Sequence, residues 1–217
     1  EQRAQTPAVI DIPQPTDDQL QTVIEKLIEA DSPVLIIGSQ ALVDAKNAER
    51  IQEAVIRLGI PTFLSGMARG LLGKNSLHIR HKRSRTLRNA DVIILAGVPC
   101  DFRMGYGRVI PRKAIHIGVN RSKHDLNQNR KPTIGIQADA GAFLRRLAQL
   151  LPIALPDSTR GRWTKWHETL LAQDAERNGE IDRDAQMNTE FVNPVRLCQH
   201  IEDVIDYDSI VIGDGGD

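Results

Sequence analysis

Apolar residues recur along this chain at two spacings that alternate. Leu20, Val23, Ile24, Leu27 and Ile28 fall three and four apart, the interval that gathers side chains on one stripe of a helix, and Thr16-Asp17-Asp18-Gln19 ahead of them is a capping box. Pro33 to Ile37 is apolar without interruption and closes at Gly38, as a strand buried on both faces would. Helical spacing returns at Ile51, Ala54, Val55 and Leu58, stops at Gly59, and gives way to a short strand, Thr62-Phe63-Leu64. The basic segment from Arg80 to Arg88 is read as helical. The pattern then predicts strands over 91–97, 114–119 and 133–136, and a helix capped by Asp139 that carries Phe143, Leu144, Leu147, Leu150 and Leu151. Strands separated by helices predict an α/β fold, a mostly parallel sheet covered by helices on both faces.

From about Pro156 the texture changes. Trp163, Trp166, Leu170 and Leu171 mark one helix, and the charged, weakly periodic stretch from Asp174 to Thr189 reads as a partly helical connector. Asn193-Pro194 supplies an N-cap and a first-turn proline for a helix bearing Val195, Leu197, Cys198, Ile201, Val204 and Ile205. Ser209 to Ile212 reads as a strand running into the turn Gly213-Asp214-Gly215-Gly216-Asp217. A lone strand needs partners, so the chain is expected to be a piece of a larger protein. The expected division is a linker over 1–15 from a missing upstream domain, a nucleotide-binding-like domain over 16–155, a helical connector over 156–190, and the truncated start of a further domain over 191–217.

Among the 217 residues 41% are hydrophobic, enough for one complete core, and the formal charge is zero. With a pI near 7.3, no net field draws the chain to nucleic acid or to an anionic membrane, and neither contact is expected. Cys100 and Cys198 fit neither a disulfide framework nor a zinc pattern, which suits a reducing cytoplasm, and both are expected to be buried.

In a parallel sheet ligands lie beyond the carboxyl ends of the strands. Gly38, Gly97, Asn120 and Asp139 stand there, where glycine lets backbone close on phosphate or ribose and Asn or Asp bonds a hydroxyl or an adenine amine. A structural reading remains beside it: glycines required at tight turns, and Asp139 as a helix cap. No G-x-G-x-x-G follows the first strand. Arg80, Lys82, Arg83, Arg85 and Arg88, with His78 and His81 nearby, are read as a solvated helix face, and the two tryptophans as a packing pair. Neither His78 nor His81 has a carboxylate or thiol at ligand spacing, so no metal site is expected, and no catalytic triad can be assembled.

Ala90-Asp91-Val92-Ile93-Ile94-Leu95-Ala96-Gly97 followed by Cys100-Asp101-Phe102-Arg103, then Ile115 to Asn120, Gln137-Ala138-Asp139-Ala140 and the terminal Asp214-Gly215-Gly216-Asp217, resemble in their order the Rossmann-like central domain of thiamine-diphosphate-dependent enzymes. The likeness is strongest to the acetolactate synthase and 2-hydroxyacyl-CoA lyase branch. It implies that an intact protein, a transferase or lyase, makes or breaks a C–C bond with thiamine diphosphate and Mg²⁺ as a homodimer or homotetramer. Pyrimidine-binding and diphosphate-binding domains would lie on either side, and this piece alone would be inactive. The resemblance places Asp214, Gly215, Gly216 and Asp217 against the diphosphate. It places Gly38, Gly97, Asp101, Asn120 and Asp139 around a central-domain nucleotide, ADP, coenzyme A or FAD. FAD is disfavoured because Pro99 stands where an arginine is common and the I-D-I-D strand has become Ile117-Gly118-Val119-Asn120. The rival reading is a non-catalytic nucleotide-binding or assembly module.

Overall fold

The computed structural model describes residues 12–206 and 209–211. Five strands form one parallel sheet: β1 (Pro33–Ile37), β2 (Thr62–Leu64), β3 (Val92–Ala96), β4 (Ile115–Asn120) and β5 (Ile134–Gln137), in the order β2-β1-β3-β4-β5. β1 and β3, apolar at every position, lie at the centre in the register Pro33↔Val92 to Ile37↔Ala96 and are buried throughout. The capping box forms as read: Thr16 and Gln19 satisfy each other's backbone N–H groups at the start of α1 (Asp17–Glu29). α2 (Ala48–Leu58) ends on Gly59 at φ 67, a left-handed C-cap.

Successive residues of a strand face opposite ways, so the sheet divides its core in two. Leu35, Ile37, Ile94 and Ile117 face a cluster built with Leu20, Val23 and Leu27 of α1, Ile51 and Val55 of α2, and Phe143, Leu144 and Leu147 of α5 (Ala140–Ala154). Val34, Ile36, Ile93 and Leu95 face a smaller cluster with Leu87 of α3 (Arg83–Asn89), Met104 and Ile110. A short α4 (Lys123–Leu126) follows β4.

α6 spans Asp157–Gln186. Trp163 and Trp166 donate their indole N–H groups to the carbonyls of Ala30 and Pro33, each at 3.1 Å, so the first half of this helix crosses the amino-terminal end of the sheet. The carboxyl ends stay open. With Trp163 and Leu170 in the core, the first compact unit is Glu1–Gln173, which carries it past the boundary expected after residue 155.

The second unit, Asp174–Asp217, contains the end of α6 and α7 (Pro194–Val204). Asn193 caps α7, accepting from Val195 and Arg196, while its amide donates to the Asp184 carbonyl at 2.8 Å. Leu197, Ile201 and Val204 of α7 are exposed. Two expectations are corrected in this unit. Cys198 is exposed, whereas Cys100 is buried as expected. Residues 209–211 are not in a strand and Ile210 is 89% exposed, no strand among the described residues receiving their backbone hydrogen bonds. Ile212 and the Gly-rich turn after it lie outside the described residues.

Candidate functional site

After β1 the chain turns to β2 on one side, and after β3 it turns to β4 on the other. The loops leaving β1 and β3 therefore diverge and open a crevice at the carboxyl edge, the usual ligand position in such a sheet. Gly38 N–H donates to the Ala96 carbonyl at 2.9 Å and Gly97 N–H to that of Val119 at 2.8 Å, so the ladder continues one residue past each strand. The two loops touch. A Cβ on Gly38 would stand 2.5 Å from both Gly97 O and Val98 Cγ2, and Gly97 has φ +72 with the Ala41 nitrogen 2.9 Å from where its Cβ would be. Around this contact is an open cleft of about 230 Å³ whose polar wall includes Ser39, Gln40, Arg103, Asn120 and Asp125.

Backbone donors fix the carboxamides on that wall. Asn120 Oδ1 accepts the Ser122 N–H at 2.8 Å, and Gln40 Oε1 accepts the Arg121 N–H at 2.6 Å, which leaves Gln40 Nε2 to donate to Asn120 Oδ1 at 2.9 Å. Among the described residues no acceptor takes Asn120 Nδ2, so Asn120 offers a ligand a donor rather than an acceptor. Asp139 is committed inward: Oδ1 caps α5 through the Ala142 N–H at 2.6 Å, and Oδ2 takes Arg121 Nε at 2.8 Å and Nη2 at 2.5 Å. Asp101 accepts from the backbone and guanidinium of Arg103, and that side-chain bond holds its carboxyl below the usual carboxylate range.

Of the residues expected to bind cofactor, then, Gly38, Gly97 and Asn120 line one cleft. Asp101 and Asp139 sit at its edge, orienting Arg103 and Arg121. Asp214, Gly215, Gly216 and Asp217 lie outside the described residues. Gln40, Ser39 and Arg103 are additions. Arg103 arrives four positions after Pro99 because Asp101 caps a 3-10 segment, Phe102–Gly107, in which Gly105 (φ 53) and Tyr106 (φ 55) turn the loop back on itself. Among the described residues no group of three His, Cys, Asp or Glu could hold a metal ion. Cys100 is no nucleophile at neutral pH, since burial pushes its thiol up to about 11.

On β4, His116 is 2% exposed and neither ring nitrogen has a hydrogen-bond partner. Burial, with the positive charge of Arg130 second, lowers its pKa to about 4. The unfolded chain takes up a proton near pH 6.5 and the folded one near 4, so stability contributed by the neutral ring is complete above the unfolded value and is lost as pH falls between the two. A His116→Leu variant should lose less stability than the parent on going from pH 7 to pH 5, by on the order of 2 kcal/mol. Urea unfolding at both pH values measures this, and equal losses would show that His116 reaches water.

The family model described as thiamine pyrophosphate enzyme, central domain, matches residues 20–147. The zebrafish (Danio rerio) protein named 2-hydroxyacyl-CoA lyase 2 is 41% identical over 224 residues, covering 100% of this chain and 35% of that protein. Its human namesake is 39% identical, over 100% and 34%. A Mycobacterium tuberculosis acetolactate synthase large subunit is 28% identical over 94% and 36%. The chain thus spans about a third of the length of these curated relatives. A solved thiamine diphosphate-dependent 4-hydroxybenzoylformate decarboxylase from Rhodococcus jostii matches with a TM-score of 0.49 and 22% identity, over 66% of this chain and 29% of that one. Among the described residues no helix is long and apolar enough to cross a membrane.

Proposed function

The chain belongs to the thiamine pyrophosphate enzyme central-domain family, and from that premise we propose that it serves an enzyme that cleaves or forms a C–C bond beside a carbonyl, most closely a 2-hydroxyacyl-CoA lyase. The observation that carries this reading is the 41% and 39% identity to two proteins of that name along the entire chain, against 28% for the acetolactate synthase. Thiamine diphosphate supplies the electron sink for such chemistry. This domain is proposed to contribute structure and a ligand cleft. The intact protein is proposed to be a cytoplasmic homodimer or homotetramer that carries pyrimidine- and diphosphate-binding domains beside this one, with Asp214 to Asp217 at the diphosphate. Assay of the full-length protein with thiamine diphosphate, Mg²⁺ and either a 2-hydroxyacyl-CoA or pyruvate tests the activity. Turnover of the acyl-CoA at least about tenfold faster supports the lyase, and turnover of neither refutes the proposal.

The cleft is proposed to hold the ribose and phosphate of an adenosine nucleotide, with Gln40 and Asn120 bonding the sugar and Arg103 beside the phosphate. At about 230 Å³ it is smaller than the roughly 300–1,000 Å³ of sites that engulf a drug-sized ligand, so it suits part of a nucleotide better than a whole FAD. In a thermal-shift titration ADP or coenzyme A should raise the midpoint more than equimolar FAD. The opposite order would overturn this assignment.

A further inference from the structure

A second cleft lies along the outer edge of β2. Residues 77–79 run beside that strand, with the Thr62 N–H donating to Leu77 O at 2.7 Å and the Ile79 N–H to Thr62 O at 2.9 Å. Lys82, at φ 52, then reverses the chain into α3, so that Arg80 and Arg83 come to flank one space. That space, about 490 Å³, has Phe63 and Ile79 in its apolar lining, Arg69, Arg80 and Arg83 as its charged residues and His78 beside them. No carboxylate is among the described residues that line it.

Like charges gathered in a partly dry place oppose folding unless something offsets them. Arg83 is half-buried, and burial, with the nearby charge of Arg69 second, lowers its pKa. Its Nη2 donates to the Arg103 carbonyl at 2.6 Å, which fixes the guanidinium plane but leaves the charge uncancelled, since a carbonyl is neutral. Guanidinium forks over an apolar floor match the oxygens of a tetrahedral anion, whose charge would stand against those of Arg69 and Arg83. We propose that Arg69 and Arg83, with Arg80 and His78 at the margin, form a phosphate-binding site on the β2 edge. The basic segment that reads in sequence as a solvated helix face thus has two members, Arg80 and Arg83, on a cleft, and of these Arg83 is half-buried. The site stands apart from the nucleotide reading of the rim cleft, although the two clefts adjoin: Leu64 precedes Ser65 of the rim, and Arg83 is bonded to Arg103.

The phosphate could be free or could belong to a nucleotide reaching over from the rim, and calorimetric titration at low salt with inorganic pyrophosphate and with ADP distinguishes the two. Pyrophosphate should bind the chain, and its affinity should drop about tenfold or more in Arg69→Gln and in Arg83→Gln but less than about twofold in Arg112→Gln, an exposed basic residue outside this cleft. Arg69 is exposed, so its replacement leaves the fold intact and an unchanged melting temperature verifies that. If ADP loses the same factor in these variants the phosphate is the nucleotide's own, and if ADP is unaffected it is a separate ligand. Absence of pyrophosphate binding, or an equal loss in Arg112→Gln, overturns the site.

Discussion

Replacing Trp163 by alanine should cost about 3–5 kcal/mol, the range for truncating a large buried aromatic residue, and lower the melting temperature by roughly 10 °C. Trp163 is 4% exposed within the larger core cluster, where it touches the layer made by α1, α2 and α5 from the amino-terminal side. It also supplies a donor to the Ala30 carbonyl, at the C-cap of α1 and three residues before the chain enters β1. Trp163→Phe keeps most of the packing and loses the donor, so it should cost only about 1–2 kcal/mol, the more so because Arg162 Nη2 is 3.4 Å from the same carbonyl. Urea unfolding of both variants separates packing from hydrogen bonding. An alanine variant within 1 kcal/mol of the parent would mean that this helix is not part of the folding unit.

Gly38→Ala should destabilise the protein by about 1–3 kcal/mol and abolish binding in the rim cleft. The added carbon would meet the backbone oxygen of Gly97, which cannot swing aside as a side chain can, so the β1 and β3 loops must separate and the wall that carries Gln40 and Asn120 moves with them. Gly97→Ala adds the strain of φ +72 to a similar clash. Because both changes attack the same contact, the double variant should lose less than the sum of the two. Gly59→Ala is the control, having φ +67 but nothing within 4 Å of the added carbon, and it should show the strain alone with ligand binding intact. If Gly38→Ala binds nucleotide as well as the parent, the ligand lies elsewhere.

The sheet was readable because its central strands are apolar at every position. Pro33–Ile37 and Thr62–Leu64 match residue for residue, and the other three strands lie within one residue of the pattern. That the glycines and Asn120 come together at one cleft was readable because a strand's last positions and the switch of direction are set by topology, which the alternation of elements reveals. Gln40 and Arg103 were not, since their placement depends on loop backbone: a 3-10 turn at Ser39–Leu42 for one, left-handed residues at 105 and 106 for the other. Arg83 was misread because a run of cations carries no sign of which member a reversal at Lys82 will tuck in. The apolar run at 209–211 failed for the opposite reason, being a strand-like pattern without a neighbouring strand among the described residues.

The place of β3 beside β1 also bears on how the chain folds. The carboxylate of Asp91, at the entrance to β3, binds the backbone N–H groups of Asp31 and Ser32, at the entrance to β1, 60 and 59 positions earlier. β1 can pair with β2 soon after that strand has formed, but its other edge must wait until α2, β2 and the long excursion through α3 have been made. Closing so large a loop is entropically slow, and during that interval a fully apolar strand presents unpaired backbone to its surroundings. Asp91, by latching the two strand entrances in register once they meet, acts late, so its loss should speed unfolding more than it slows refolding.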